Sequence, residues 1–379
     1  MSGCSFGPVA DLVDLGKLDE PIAQENGESR GIYPLIHCPD LLLKVYKDHL
    51  STAANASRLD WLISLATTAP AVDRTRLLAN SCWPLSRVTD GPRPAHGVLI
   101  PRAPDKYLTT LRINSTTKQI PLEVDWLASA EDKCRRRGIA VPTFGERLRI
   151  CEDIVAVADF LERHEVVYGD WSYANAFWCA TDSSAYVIDL DGCGFRSRTA
   201  VATQNWTDDL PNPAGVTDNL TDRFGVALLL ARCLTGVRDI DAALAMLRKL
   251  AAVHHAGQVF TTVYAAVKAP TREQRPAVGK MLAAMRHRGS GAAPTAPARP
   301  VSGVVGWRPL PAQPVTATRR PPTTAPLRPP APTRPYTPPP RARPPASRAP
   351  AETGGPSAAA VVWVLVLVAL LVVLFVLIS

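Results

Sequence analysis

The sequence predicts an α+β fold: a small β-rich part, then a larger helical part, with a single hydrophobic helix at the C-terminal end. Three observations carry this expectation. Short apolar runs separated by turns fill the first third of residues 1–288, apolar residues at helical spacing fill the remainder, and residues 358–378 form an unbroken apolar stretch.

Residues 32–36 and 41–46 read as strands and residues 56–66 as a helix. Thr143-Phe144-Gly145-Glu146 has the form of a capping box, in which the threonine and the glutamate each satisfy a free N–H of the other's backbone. Behind it Leu148, Cys151, Val155 and Ala158 recur at helical spacing, with Ile154 and Leu161 beside them. A second apolar helix runs over residues 220–234 and stops at Gly236, a suitable C-cap.

The apolar stretch at 358–378 holds 21 residues without a charge. As a helix it spans roughly 31 Å, about one hydrocarbon core. It is expected to anchor the chain to the cell membrane as a single pass. Trp363 lies near one end, where indole rings favour the interface, and the arginine-rich flank keeps the preceding domain on the cytoplasmic side. Residues 289–357 hold about half of the 36 prolines and few large apolar residues. They cannot bury enough surface to offset ordering, so they read as a disordered linker. As a spacer the linker holds the domain off the bilayer; otherwise it docks a Pro-motif-binding partner or touches anionic lipid.

The net charge of +8 is unevenly spread. Residues 275–348 carry thirteen Lys or Arg and no acid, whereas residues 1–274 carry 29 basic and 33 acidic residues. A nucleic-acid-binding face needs its positive charge on the fold, so nucleic acid is not an expected partner. The eight cysteines are scattered singly without a C-x-x-C pair, which argues against zinc and reads as free thiols in a reducing compartment. The N-terminus has neither the basic nor the apolar region of a secretory signal.

The chemistry concentrates in Tyr168-Gly169-Asp170-Trp171-Ser172-Tyr173-Ala174-Asn175 and Val187-Ile188-Asp189-Leu190-Asp191-Gly192. Between the two lie strand-like residues 176–179 and 185–188 around the turn Thr181-Asp182-Ser183-Ser184. Such a hairpin returns Asp189 to Asn175, so that three oxygen-bearing side chains converge with Asp170. Phosphoryl transfer needs hard oxygen ligands for Mg²⁺ and a carboxylate to orient the attacking hydroxyl. Upstream, Lys44 projects from the apolar strand Leu41-Leu42-Leu43-Lys44-Val45-Tyr46. It is either an ordinary edge-strand lysine or a cation that requires an anionic partner.

In these motifs the chain resembles the protein kinase superfamily over roughly residues 20–285: D-x-x-x-x-N, a short hairpin, then a second Asp close to Gly. It is similar to divergent bacterial Ser/Thr kinases, including those fused to helix-hairpin-helix modules, through Lys44-Val45-Tyr46, Arg58-Leu59, Gly97-Val98-Leu99-Ile100-Pro101, Gly169-Asp170 and Ile188-Asp189-Leu190-Asp191-Gly192. The resemblance implies a bilobal kinase-like fold with an N-lobe over about 20–105 and a C-lobe over about 106–288. It implies ATP and Mg²⁺ as cofactors, Asp170 as catalytic base, Asn175 and Asp189 as metal ligands, and Lys44 with the Gly-rich loop at Gly27 and Gly31 as ATP-binding. Asp191 is then a second ligand or, as the preferred reading, a turn residue. Asp222, ahead of an apolar helix, corresponds to the aspartate that supports the catalytic loop, and Asp60 to the acid that pairs with Lys44.

The chain departs from the pattern in three places. Tyr168-Gly169 stands where His-Arg is usual, which removes the receptor for a phosphorylated activation segment. Ser172 stands where Lys is usual, and small-molecule kinases tend to have a Gly-Asp catalytic loop like Gly169-Asp170 here. Near Pro211-Asn212-Pro213 no Ala-Pro-Glu is found. The resulting expectation is a membrane-anchored, ATP-dependent kinase of protein Ser/Thr hydroxyls, with an activation segment from about 193 to 212 and Thr199, Thr203 and Thr207 as autophosphorylation sites. The rivals are a pseudokinase or membrane scaffold and a small-molecule phosphotransferase of the aminoglycoside- or choline-kinase kind.

Overall fold

The computed structural model describes Cys4 and residues 6–113, 116–200 and 205–287. The linker at 289–357, the apolar stretch at 358–378 and Thr203 lie outside the described residues. Among the described residues no helix is long and apolar enough to cross a membrane.

The fold is α+β. Six strands come first: β1 (Val9–Asp11), β2 (Ala23–Asn26), β3 (Ser29–Leu35), β4 (Cys38–Tyr46), β5 (Ser86–Asp90) and β6 (Arg93–Pro101). They form one mixed sheet in the order β1-β5-β6-β4-β3-β2, in which only the β1–β5 pair is parallel. The sheet thus takes in residues upstream of position 20. Side chains alternate across it. From β4, Leu43 and Val45 join Leu35, Val88 and Leu99 on one face. Leu42 and Tyr46 join Leu59, Val98, Tyr107 and Tyr186 on the other. Lys44, between Leu42 and Tyr46 in that alternation, shares the second face. Strand β4 is central, so both of its faces are buried.

Two helices connect β4 to β5: α1 (Ala53–Thr68) and α2 (Ala71–Asn80). The Thr52 hydroxyl caps α1 by accepting from the Asn55 N–H at 3.1 Å. After β6 comes the hairpin β7 (Leu108–Ile113) and β8 (Thr116–Pro121), then α3 (Glu131–Arg136) and α4 (Phe144–Arg163). Both halves of the capping box form at Thr143 and Glu146, and Leu148, Cys151, Ile154, Val155, Ala158 and Leu161 of α4 are all buried.

Short strands follow: β9 (Val166–Val167), β10 (Ala176–Trp178), β11 (Ala185–Val187), β12 (Gly194–Phe195), β13 (Arg198–Thr199) and β14 (Val216–Thr217). They pair antiparallel as β10–β11, β9–β12 and β13–β14. The chain closes with α5 (Asn219–Thr235), α6 (Ile240–Val253), α7 (Gly257–Val267) and α8 (Val278–Arg286). Helix α5 ends at Gly236 in the left-handed region and is buried against α4, so the two are the centre of the largest apolar cluster.

The cysteine expectation requires correction. Cys4 and Cys38 are joined in a disulfide, which ties the N-terminal segment to the start of β4. The other six cysteines are free and buried. Sequence spacing gave no sign of this pair because its 34-residue separation is closed by the sheet and not by local geometry. Alkylation of the denatured, unreduced chain should therefore label six thiols, and all eight after reduction, as read by intact mass.

Asp153 of α4 fastens the β10–β11 hairpin from below by accepting from the Ala185 N–H at 3.0 Å. Burial pushes its carboxyl up from the ordinary 3.8 to about 6, against the bonds from Ala185 and Asn80. Between these values the folded chain keeps a proton that the unfolded chain releases. The contribution is complete below about 3.8 and is lost as pH rises through about 6, a change on the order of 3 kcal/mol. Urea unfolding measured across this range should show the decline in the native chain and a flatter profile in Asp153→Asn.

Candidate active site

Lys44 is set by the sheet. Strand β4 lies between β3 and β6, and β6 passes it at Gly97, where a Cβ would sit 2.5 Å from the Lys44 carbonyl oxygen. Only glycine allows that approach. The ammonium is thereby buried with Leu42 and Tyr46, and a buried cation requires a carboxylate.

Two carboxylates meet it. Lys44 Nζ donates to Asp189 Oδ1 and, at 2.9 Å, to Asp191 Oδ1. The Tyr46 hydroxyl donates to Asp191 Oδ2 at 2.6 Å. Asp191 is 1 % exposed. It is therefore the buried counter-ion of Lys44, which corrects the preference for a simple turn residue. Burial alone would lower the Lys44 pKa, but Asp191 and Asp189 raise it above its ordinary value. Burial alone would raise that of Asp191, but Lys44 and Tyr46 hold it below the ordinary range. Burial and Asp191 together push the Tyr46 hydroxyl well up, so it stays a donor.

Asp60 does not pair with Lys44. It lies on α1 and binds Arg87 of β5 through Nε at 2.7 Å and Nη2 at 3.0 Å. Helix α1 instead reaches the site through Arg58, which donates to the backbone oxygens of Asp191 and Cys193, the latter at 2.8 Å. Asn55 orients the guanidinium from one turn earlier, accepting from Arg58 Nε at 3.1 Å.

The loop that bears Asp170 is held from two sides. Asp222, in the first turn of α5, accepts from the backbone N–H of Tyr168 at 2.7 Å and of Gly169 at 2.8 Å. Burial moves its carboxyl up to about 7, with those two donors and Arg198 pulling the other way. From the other side the Tyr168 hydroxyl donates to the Ile188 carbonyl at 2.7 Å, directly before Asp189. Asn175 Nδ2 donates to the Asp170 carbonyl at 2.8 Å, and the Ile188 N–H donates to the Asn175 carbonyl at 2.9 Å. The hairpin thus brings Asp170, Asn175 and Asp189 to one place, with Lys44 across from them.

Asp189 is left-handed, at φ 63° and ψ 31°, a conformation uncommon outside glycine and one that clusters at functional sites. Its side chain is 47 % exposed, so one carboxylate serves Lys44 while keeping solvent access. No three His, Cys, Asp or Glu side chains among the described residues form a ligand group. Asp189 and Asn175 would offer a Mg²⁺ ion one or two hard oxygen donors, fewer than a site that holds the ion by protein groups alone.

Gly27 and Gly31 lie in the β2–β3 turn and in β3, respectively. Gly27 is at φ +47°, and Gly31 pairs with Val45, the neighbour of Lys44. The turn bends over the Asp189–Gly192 loop: a Cβ on Gly192 would lie 3.9 Å from Glu28 Oε2. On the far side of Asp170 is a cavity of about 250 Å³, walled by Trp171, Trp206, Pro211, Asn212 and Phe224.

Sequence reading missed Asp191 as a partner, along with the roles of Tyr46 and Arg58. One signal for the first was present. Lys44 and Tyr46, two apart on a strand, share a face, and two buried polar groups side by side need a common acceptor. No family model matches the chain, and no curated protein matches it.

Lys44→Met should strand the Asp191 charge and destabilise the fold by about 3–5 kcal/mol, whereas Lys44→Met with Asp191→Leu should recover much of that loss. Urea unfolding of the two single variants and the double variant completes the cycle.

Proposed function

We propose that the chain is a membrane-anchored, ATP-dependent phosphotransferase with a bilobal protein-kinase-like domain, acting on Ser or Thr hydroxyls of a protein. The observation that carries this reading is the convergence of Lys44, Asp170, Asn175 and Asp189 from three separate segments. In this reading residues 358–378 tether the domain to the cytoplasmic face of the cell membrane and residues 289–357 set its reach.

Asp170 accepts the hydrogen bond of the acceptor hydroxyl and takes its proton as the oxygen attacks. A bond forms from that oxygen to the γ-phosphorus, the bond from phosphorus to the β–γ bridging oxygen breaks, and ADP leaves. Lys44, paired on the inner side with Asp191, offers its remaining donor capacity to the nucleotide phosphates. Asp189 and Asn175 would hold Mg²⁺, which would supply charge neutralisation at the phosphate oxygens. The Asp222 carboxylate and the Tyr168 hydroxyl keep the Asp170 loop in register, so little reorganisation accompanies transfer.

A second reading is favoured by one feature. The aromatic-walled cavity of about 250 Å³ beside Asp170 has room for a small ring or short chain, which suits a small hydroxylated acceptor in place of a protein.

The full chain in detergent, with Mg²⁺ and γ-labelled ATP, should transfer label to itself or to a peptide acceptor. Asp170→Asn should lower the rate by about 10²–10⁴-fold while ATP binding persists. Transfer confined to small hydroxylated compounds supports the second reading. ATP binding with transfer to nothing defeats both and points to a scaffold.

A further inference from the structure

The residue before Asp170 is Gly169, with no side chain and φ +69°. The space over it is filled from elsewhere: a Cβ on Gly169 would lie 2.8 Å from Cδ of Arg198 and 2.9 Å from Cγ2 of Thr217. These two residues face each other in the β13–β14 pair. The guanidinium continues past Gly169 and donates through Nη1 to the Tyr168 carbonyl. It then covers Gly192, where a Cβ would lie 3.6 Å from Nη1 and 3.7 Å from Nη2. One side chain therefore touches the loop of Asp170, the loop of Asp189 and Asp191, and the segment that follows them.

That segment is fastened at other points too. Strand β12 pairs with β9 just upstream of Tyr168. The Arg196 N–H donates to the Glu165 carbonyl at 2.7 Å, and its guanidinium binds the Glu165 carboxylate at 3.0 and 2.9 Å. The Arg196–Glu165 pair is exposed and contributes little, whereas Arg198 is half-buried against the loops themselves. Both cations of residues 194–199 are thus already engaged with residues 165–168.

Resting on the phosphotransferase reading, we propose that Arg198 is a positioning residue. It fixes the Asp170 loop against the Asp189–Gly192 loop from within the chain, so that transfer needs no phosphate on the segment after Gly192. A phosphate on Thr199 would find Arg198 and Arg196 already bound, and the contact that such a phosphate would have to create is already made.

The test uses the full chain treated with a protein phosphatase, with intact mass confirming the unmodified state. Two readouts run together: steady-state transfer with ATP varied, and hydrogen exchange of the amides from Gly169 to Asn175. The native chain should transfer phosphate after phosphatase treatment at the rate found before it. Arg198→Met keeps an aliphatic stem over Gly169 but loses the guanidinium. It should lower kcat by about tenfold or more, leave KM for ATP within about twofold, and speed exchange in 169–175 while α5 stays protected. Arg198→Lys should lie between the two. A general loss of fold would instead raise exchange in α5 as well. Unchanged kcat and unchanged exchange in Arg198→Met overturn the proposal, as does a native chain whose activity vanishes with its phosphate. A native chain that transfers nothing in either state defeats the phosphotransferase reading; the exchange readout then still decides, by itself, whether Arg198 positions the loop.

Discussion

A charge buried in the middle of a sheet has to be answered, and the answer organises this protein. Lys44 lies on a strand covered on both faces, and its ammonium is buried. The reply comes from Asp191, almost 150 positions later, with Tyr46 sharing the same carboxylate. Satisfying one cation therefore stitches the sheet to the β10–β11 hairpin. Because Arg58 grips the backbone at Asp191 and Cys193, α1 is drawn into the same knot. Replacing such a pair with apolar residues often costs nothing in stability. What the pair contributes here is placement, since it holds Asp189 next to Lys44.

The second half of the site rests on backbone groups instead of charge. Asp222 accepts from two consecutive N–H groups, the Tyr168 hydroxyl bonds to the Ile188 carbonyl of the neighbouring segment, and the Asn175 amide bonds to the Asp170 carbonyl within the loop. Asp170 is part-buried and lines the adjoining cavity.

Local rules were legible in the sequence where they act locally. The capping box at Thr143, the glycine stop at Gly236 and the turn between β10 and β11 are each set within a few residues, and the helices and hairpin follow from them. The grouping of Asp170, Asn175 and Asp189 could be read because the hairpin between them is short. Pairings across the fold were not legible in the same way. Asp60 stands at helical position for either Lys44 or Arg87, and only the docking of α1 on β5 decides for Arg87. Asp191 looked like a turn residue because a short Asp-Gly step is usually that; its burial depends on a strand distant in sequence. Cys4 and Cys38 likewise meet only once β4 has found its place.

The first strand has a consequence for how the domain can be handled. Strand β1 is the outer member of the sheet, lying parallel to β5 along Val9–Asp11. Its peptide groups occupy the side of β5 that would otherwise stand open. A chain shortened to begin near residue 20, where the kinase resemblance starts, would bare that row of donors and acceptors next to the apolar Ala10–Leu15 contact surface. Uncovered strand rims of this sort recruit other chains. The shortened protein would keep every residue of the site and yet be prone to self-association, so its solubility would be governed by a segment that takes no part in the chemistry.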